Sequence, residues 1–244
     1  MSCEASQTCF SCPKSYLNRN IHLIYPMSFR PEILLSKVSR ARCVANLKEL
    51  PALAYINTTE KIYASVLVPL CIHNGELCLL YTLRSSNLTN HSGQVSFPGG
   101  KRDENETPIE TALRETEEEI GFPRENVDVW SEMNIVQGRN RKMFITPVVG
   151  QLLNFDFNQL VKCDDEVEEI FAVSMETLCN GNNHAHFTHN SYPLPVFLCG
   201  KHRVWGITGM ITHLFLQSFL PEDVYKPNFL RQIFQVSELM PSKM

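Results

Sequence analysis

The chain has 244 residues, 43% of them hydrophobic and 20% charged, with a formal net charge of −4. This is room for one substantial domain with short extensions, in the composition of an ordinary soluble globular protein. There is no basic excess, no run near the roughly 18 apolar residues of a membrane span and no basic-then-apolar leader, so neither nucleic acid nor membrane is an expected partner.

Residues 1–28 are polar and poorly patterned, and are expected to form a disordered arm. The main domain is expected over 29–225 and a tail over 226–244. Pro31 opens a predicted helix to about Lys48, with Ile33, Leu34, Val38, Ala41 and Val44 on its inner side. Residues 61–73 (KIYASVLVPLCIH) read as a strand, Asn74-Gly75 as a hairpin turn and 76–84 (ELCLLYTLR) as the return strand. Residues 85–96 are loop-like. Thr107, Pro108 and Glu110 form a helix opening with a capping box, and Gly121 a left-handed stop, which predicts a helix over 108–120. Its buried face is expected to carry Ile109, Ala112, Leu113 and Ile120. Strands follow at 126–137, 143–152 and 167–173, then a hairpin over 195–205 turning at Gly200-Lys201. Residues 207–219 form a second packing helix, and 228–239 a short terminal one. Helices able to cover both faces of a mixed sheet give an α/β fold, an α/β/α sandwich.

Nine cysteines are present. Cys9 and Cys12 form a C-x2-C with no second pair at zinc-ribbon spacing, and the others lie in or near apolar patterns. Buried reduced thiols are the reading, which suits a reducing compartment. His184, His186 and His189 lie between Asn-Gly-Asn-Asn and Pro-Leu-Pro, and are expected in an exposed loop.

Charge is concentrated in one place. Residues 100–122 hold eight acids and three bases, a net −5, so the rest of the chain is close to neutral. Glu115, Glu118 and Glu119 stand at i, i+3 and i+4 and share a helix face, while Glu117 points elsewhere. A helix C-terminus disfavours anions, and each like-charge pair costs about 0.2–0.5 kcal/mol. A divalent cation would offset this, because oxygen ligands on one face suit magnesium or manganese. The alternative from the helix alone is a solvated acidic face.

The flanks bear on that choice. Gly100, five residues, Glu106, seven residues and then Arg114-Glu115-Thr116-Glu117-Glu118-Glu119-Ile120-Gly121-Phe122 resemble the Nudix box, GX5EX7REUXEEXGU, where U is a bulky aliphatic residue. Thr116 is the one departure. The resemblance implies the Nudix fold and hydrolysis of a nucleoside diphosphate linked to another moiety. It implies Mg2+ or Mn2+ held by Glu115, Glu118 and Glu119, with the Gly100 carbonyl as a further ligand. It also implies that Arg114 pairs with Glu106 and orients the helix. The base is either a box glutamate or Glu166.

Upstream, Leu79 to Ser85, then Gly93, then Phe97-Pro98-Gly99-Gly100 resemble the signature of coenzyme A diphosphatases, LLTXRSX3RX3GX3FPGG. The spacing from Arg84 to Gly93 to Phe97 is kept, while the second arginine falls on Thr89. This implies coenzyme A and acyl-CoA as substrates, cleaved to 3′,5′-ADP and (acyl-)4′-phosphopantetheine. Arg84 has the motif support, with Lys101, Arg102, Arg139, Arg141 and Lys142 as further cations for the phosphates. Gly93 and Gly99 are the accompanying backbone positions. A hydrolase for ADP-ribose or another nucleoside diphosphate derivative is the second reading, and a non-catalytic CoA- or nucleotide-binding module the third. The terminal Ser242-Lys243-Met244 is similar to the peroxisomal Ser-Lys-Leu address, which makes an import receptor the expected partner and the peroxisome the expected compartment, with cytoplasm or mitochondrion as alternatives.

Overall fold

The computed structural model describes residues 29–51, 53, 61–88, 92–138 and 142–240. In chain order its helices are α1 (Pro31–Leu34), α2 (Lys37–Glu49), α3 (Pro108–Ile120), α4 (Met175–Cys179), α5 (Gly206–Phe219) and α6 (Val236–Leu239). The main sheet contains β1 (Ile62–His73), β2 (Glu76–Arg84), β3 (Val95–Ser96), β4 (Gly99–Lys101), β5 (Val127–Glu132), β6 (Val136–Gln137), β7 (Met143–Leu152) and β8 (Val167–Ser174). A second sheet holds β9 (His184–His189), β10 (Tyr192–Cys199) and β11 (His202–Val204).

The β1–β2 hairpin turns at Asn74 and Gly75, with φ of 52° and 81°, as a two-residue turn with positive φ at both positions requires. The main sheet runs β3-β2-β1-β7-β5, with β4 paired to β1, β6 to β7 and β8 to β2. The β1–β7 pair is parallel and the others antiparallel, so the sheet is mixed.

Both faces are covered, which explains the near-continuous apolar runs of β1 and β2. Alternate residues Leu67 and Cys71 of β1 and Cys78 and Leu80 of β2 pack beneath Ala112 and Ile120 of α3. Val68, Leu70, Leu77, Leu79 and Tyr81 face the other way, onto Cys43 and Leu47 of α2 and Ile211, Phe215 and Phe219 of α5. The second sheet adjoins that layer through Phe197 and Val204. The architecture is α/β/α around a mixed sheet, with a small antiparallel sheet added on the α5 side. Cys43, Cys71, Cys78, Cys163, Cys179 and Cys199 are free thiols; Cys9 and Cys12 lie outside the described residues.

Several expectations need correction. The helix expected over 31–48 is two helices. Ser36 caps α2, its hydroxyl accepting from the Ser39 N–H at 3.2 Å, so the helical phase restarts there. The inward residues are Leu34, Ser39, Cys43 and Leu47; Val38 is 77% exposed, and Ala41 and Ile33 also face solvent. The 85–96 segment includes the short β3. The strand expected over 126–137 is two strands along β7: Met133 still donates to the Pro147 carbonyl at 2.8 Å, residues 133–135 are not strand, and pairing resumes at Val136 opposite Ile145. The terminal helix is reduced to a 3-10 turn at Phe229–Arg231 and to α6.

The His-Ala-His-Phe-Thr-His segment is not an exposed loop but β9, and His184 is fully buried. Its Nδ1 accepts from the Asn228 N–H at 3.1 Å, so Nε2 carries the proton and donates to the Leu178 carbonyl at 2.7 Å. Both ring nitrogens are thereby used by backbone. Residues 232–234 lie alongside β9, with a parallel bridge between His186 and Ile233. The His186 N–H donates to Gln232 O and the Phe234 N–H to His186 O, each at 2.8 Å, and Leu239 is buried. Residues 1–28 and Ser242-Lys243-Met244 lie outside the described residues.

Candidate active site

The site is built on α3. Thr107 Oγ1 accepts from the Glu110 N–H at 3.2 Å, and Glu110 returns a carboxylate to the Thr107 N–H at 2.8 Å. At the other end Gly121, at φ 68°, closes the helix with a bond from its N–H to Glu117 O. The register between these stops decides which glutamates turn inward. Thr111, Ala112, Thr116, Glu119 and Ile120 are buried, while Ile109 and Leu113 are only partly covered. Thr116 occupies an apolar box position without an orphaned hydroxyl, because Oγ1 donates back to the Ala112 carbonyl at 2.6 Å.

Two glycines let the chain pass beneath α3. In the β4–β1 pairing, Gly99 lies opposite Val66 and Gly100 opposite Ser65. A Cβ at Gly99, whose φ is +152°, would lie 2.3 Å from the Ser65 carbonyl oxygen, and one at Gly100 would lie 2.4–2.5 Å from the Glu115 carboxylate. At Gly99 the obstacle is backbone at a positive φ, so only glycine fits there; at Gly100 a Cβ would displace the Glu115 carboxylate.

A third carboxylate arrives from a distant loop. The N–H of Cys163 donates to Glu119 O at 2.9 Å and that of Val161 to Ile120 O at 3.1 Å, so the loop is pinned to the carbonyl end of α3. The Ser85 N–H then holds Glu166 O at 2.9 Å. Glu115, Glu119 and Glu166 each present an oxygen within 4.8 Å of the others. Glu118 does not join them: its side chain is 58% exposed and bonds Arg114 Nη1 at 2.9 Å.

Arg114 organises the acidic side of the site. Nε and Nη2 grip Glu106 in a two-pronged pair at 2.7 and 3.1 Å, Nη1 also donates to Glu115 at 3.0 Å, and Nη2 reaches the Lys101 carbonyl at 3.1 Å. The Arg114 hydrogen bonds hold the Glu106 carboxyl down at about 2, with Thr111 Oγ1 and the Asp103 N–H adding to the effect.

The inner carboxylates are shifted the other way. Burial pushes Glu119 up to about 8; Arg84 opposes this, and Glu115 and Glu166 add to it. Burial also raises Glu115, against Arg114. Glu119 is 2% exposed, and its Oε2 has no hydrogen-bond partner. Arg84 Nη1 lies 4.0 Å from the other oxygen, Oε1. A buried carboxylate with one orphaned oxygen, beside two further carboxylates, suits a hard divalent cation that accepts several oxygens at once. Among the described residues no other group of three metal-ligating side chains is gathered in this way, and this one contains no histidine.

Gly93, at φ 64°, donates its N–H to the Arg84 carbonyl at 3.0 Å and so closes the loop that follows Arg84. Lys101 and Arg102, at the end of β4 and just after it, line an open groove shared with Lys61, Tyr63 and Glu106. Nothing in the sequence pattern signals Lys61 or Tyr63; pairing of Ala64 with Lys101 brings them there. Thr89, Arg139 and Arg141 lie outside the described residues.

Comparison with known proteins gives the family. The NUDIX domain family model matches residues 62–194. The chain is 43% identical over 195 residues to the Mus musculus protein named mitochondrial coenzyme A diphosphatase NUDT8, covering 77% of this chain and 87% of that one. It is 44% identical over 171 residues to the Homo sapiens protein of the same name, covering 67% and 72%. To the Mus musculus protein named peroxisomal coenzyme A diphosphatase NUDT7 it is 42% identical over 113 residues, covering 46% and 47%. The family match spans more than half of the chain and includes the capped acidic helix, the double glycine and the paired Arg114 and Glu106, and on these grounds the chain belongs to the Nudix family.

Proposed function

We propose that this protein hydrolyses the pyrophosphate bond of coenzyme A and acyl-CoA, releasing 3′,5′-ADP and (acyl-)4′-phosphopantetheine. The observation that carries the reading is the cluster of Glu115, Glu119 and Glu166 with Arg84 at its edge. It supplies a cation site and a guanidinium side by side, which a pyrophosphate needs. The names of the relatives supply the substrate class.

In this reading Glu115, Glu118 and Glu119, with the Gly100 carbonyl, would hold Mg2+ or Mn2+, and the Glu166 carboxylate stands beside them. When bound, the ion neutralises phosphate charge and lowers the pKa of a water. The chain's own residues do the rest. Arg114 is a positioning residue: it ties Glu106, Glu115 and Glu118 into one frame. Arg84 neutralises a phosphate oxygen next to Glu119. Glu166 is the favoured base because it is exposed and has no ion-pair partner among the described residues. It takes the proton of the attacking water as the new P–O bond forms, and the bond from that phosphorus to the bridging oxygen breaks, leaving two phosphate monoesters.

Mass spectrometry of products from CoA, acyl-CoA and ADP-ribose, each with Mg2+, Mn2+ or chelator, tests this. The expected result is cation-dependent release of 3′,5′-ADP from both thioester and free thiol, and a large loss of turnover in Glu166→Gln. Turnover of ADP-ribose with CoA untouched would replace the substrate, and absence of turnover on all three would favour a binding module.

The compartment is a further part of the proposal, with the mitochondrion as its alternative. The relatives named above include mitochondrial and peroxisomal proteins, and Ser242-Lys243-Met244 favours the peroxisome. A chain tagged at its N-terminus is expected in peroxisomes and to lose that location when the last three residues are removed. A mitochondrial location unaffected by the deletion would overturn it.

A further inference from the structure

Beside the carboxylate cluster lies an open groove of ≈ 650 Å³, lined by Lys61, Ile62 and Tyr63 of the β1 edge and by residues 101–106. Its cations are arranged unusually for so acidic a segment. Lys61, Lys101 and Arg102 make no side-chain ion pair with any described residue, although Asp103, Glu104 and Glu106 are close in sequence. Two of them, Lys61 and Arg102, lie instead against aromatic rings. The Arg102 guanidinium sits 4.7 Å above the Tyr63 ring, Lys61 Nζ lies 5.7 Å from the Phe144 ring, and the two rings are 5.9 Å apart. The backbone secures this end, with the Arg102 N–H donating to Tyr63 O at 3.0 Å.

Two of the three lining acids lie near Arg114, which is outside the groove lining. Glu106 is gripped by Arg114, and Asp103 lies 3.9 Å from the same guanidinium. The groove therefore brings three cations and three acids together, with Asp103 and Glu104 exposed to solvent and the cations held at the Tyr63 side. Rings fix Lys61 and Arg102 in place while leaving their N–H groups free, which suits an anion that arrives from solution.

We propose that this groove binds a phosphate monoester on the ribose of the substrate, remote from the pyrophosphate being cleaved, with Lys61, Lys101 and Arg102 as its cations and Tyr63 as the platform holding Arg102 flat. The proposal rests on the coenzyme A reading and adds to it what distinguishes that nucleotide from other diphosphates: a second phosphate on the same ribose. The spacing is compatible. Gly100, at the carboxylates, and Arg102 are two residues apart on an extended chain, about 7 Å. Phosphates carried on the 5′ and 3′ oxygens of one ribose can span that distance.

The test compares coenzyme A with dephospho-coenzyme A, which lacks only the ribose phosphate. The wild-type protein is expected to favour coenzyme A in kcat/KM by about tenfold or more, as for a charge-assisted contact. Lys61→Gln and Arg102→Gln are expected to bring that ratio toward unity through KM for coenzyme A, with kcat changed less than the ratio. Lys201→Gln serves as the control, since Lys201 pairs with Glu169 elsewhere on the surface, and it keeps the wild-type ratio. A wild-type ratio near one, or a ratio preserved in Lys61→Gln, overturns the subsite. If the wild-type protein cleaves neither compound, the coenzyme A reading fails separately. Calorimetry then decides the subsite: adenosine 3′,5′-bisphosphate must bind more tightly than adenosine 5′-monophosphate, and Lys61→Gln must remove the difference.

Discussion

Glu119→Gln is expected to abolish most turnover while making the metal-free protein more stable. Glu119 is buried, one of its oxygens has no partner, and burial holds its carboxyl up at about 8. An unfolded chain ionises this group near 4.5. The folded state therefore keeps a proton that the unfolded state releases, and the stability associated with the group is present below 4.5 and is lost as pH rises toward 8. At pH 7 the penalty is on the order of 2–3 kcal/mol. Glutamine keeps the shape and removes the charge, so in chelator the variant should unfold at a higher urea concentration than wild type. Saturating Mg2+ should raise the wild-type midpoint and leave the variant nearly unmoved, because binding to the native state alone is what stabilises it. Turnover should fall by roughly 10²- to 10³-fold, since the variant no longer fixes the charge that neutralises the reacting phosphate. Urea titrations with and without Mg2+, together with product assays, check all three. A variant that turns over normally, or that is less stable in chelator, would sink the assignment.

The second expectation concerns acid stability. His213 packs against Tyr225 and Phe229, and its Nδ1 lies 2.9 Å from the Tyr225 hydroxyl. Burial, with the neighbouring His184 adding to it, pushes His213 down to about 4 from the usual 6.5. Burial lowers His184 too, and its Nδ1 already accepts from the Asn228 N–H, so a proton there would set two donors face to face. In both cases the unfolded state binds the proton first. Stability is full above 6.5 and falls as pH drops toward 4, where the His213 contribution is exhausted. The loss from His213 alone is about 3 kcal/mol. Urea midpoints measured from pH 7.5 to 4 should fall less steeply in His213→Gln, which keeps a polar partner for Tyr225 but does not titrate. Using the difference between the two proteins removes the opposite trend from Glu119. Parallel curves would show that His213 does not carry the acid sensitivity.

The residues that read most plainly from sequence are those whose signals are local. Thr107, Pro108, Glu110 and Gly121 lie within one short segment, and each acts on backbone groups a few residues away, so both ends of α3 follow from the chain alone. Asn74-Gly75 is legible for the same reason. The helix at 31–48 misleads because Ser36 is a weak signal inside a good helical pattern, and capping there restarts the phase and turns Val38 outward. His-Ala-His-Phe-Thr-His misleads because its polarity reads as loop. Its burial comes from β10 on one side and from residues 228–234 on the other, neither of which is near in sequence.

The same division runs through the site. The spacing of Gly100, Glu106, Arg114 and the glutamates belongs to the sequence, because a helix of known start and stop places every residue on a known face. So does the family, whose motif is carried by those residues. Which carboxylates converge was decided by tertiary structure. Glu119 turns into the protein because α3 packs on the sheet through Ala112 and Ile120; Glu118 is left outside with Arg114. Glu166 reaches the cluster because backbone hydrogen bonds tie its loop to the end of α3, and hydrogen bonds of that kind leave no trace in side-chain identity. The groove of Lys61, Tyr63 and Arg102 exists only once β4 pairs with β1, because strand pairing joins residues that the chain itself keeps nearly forty positions apart.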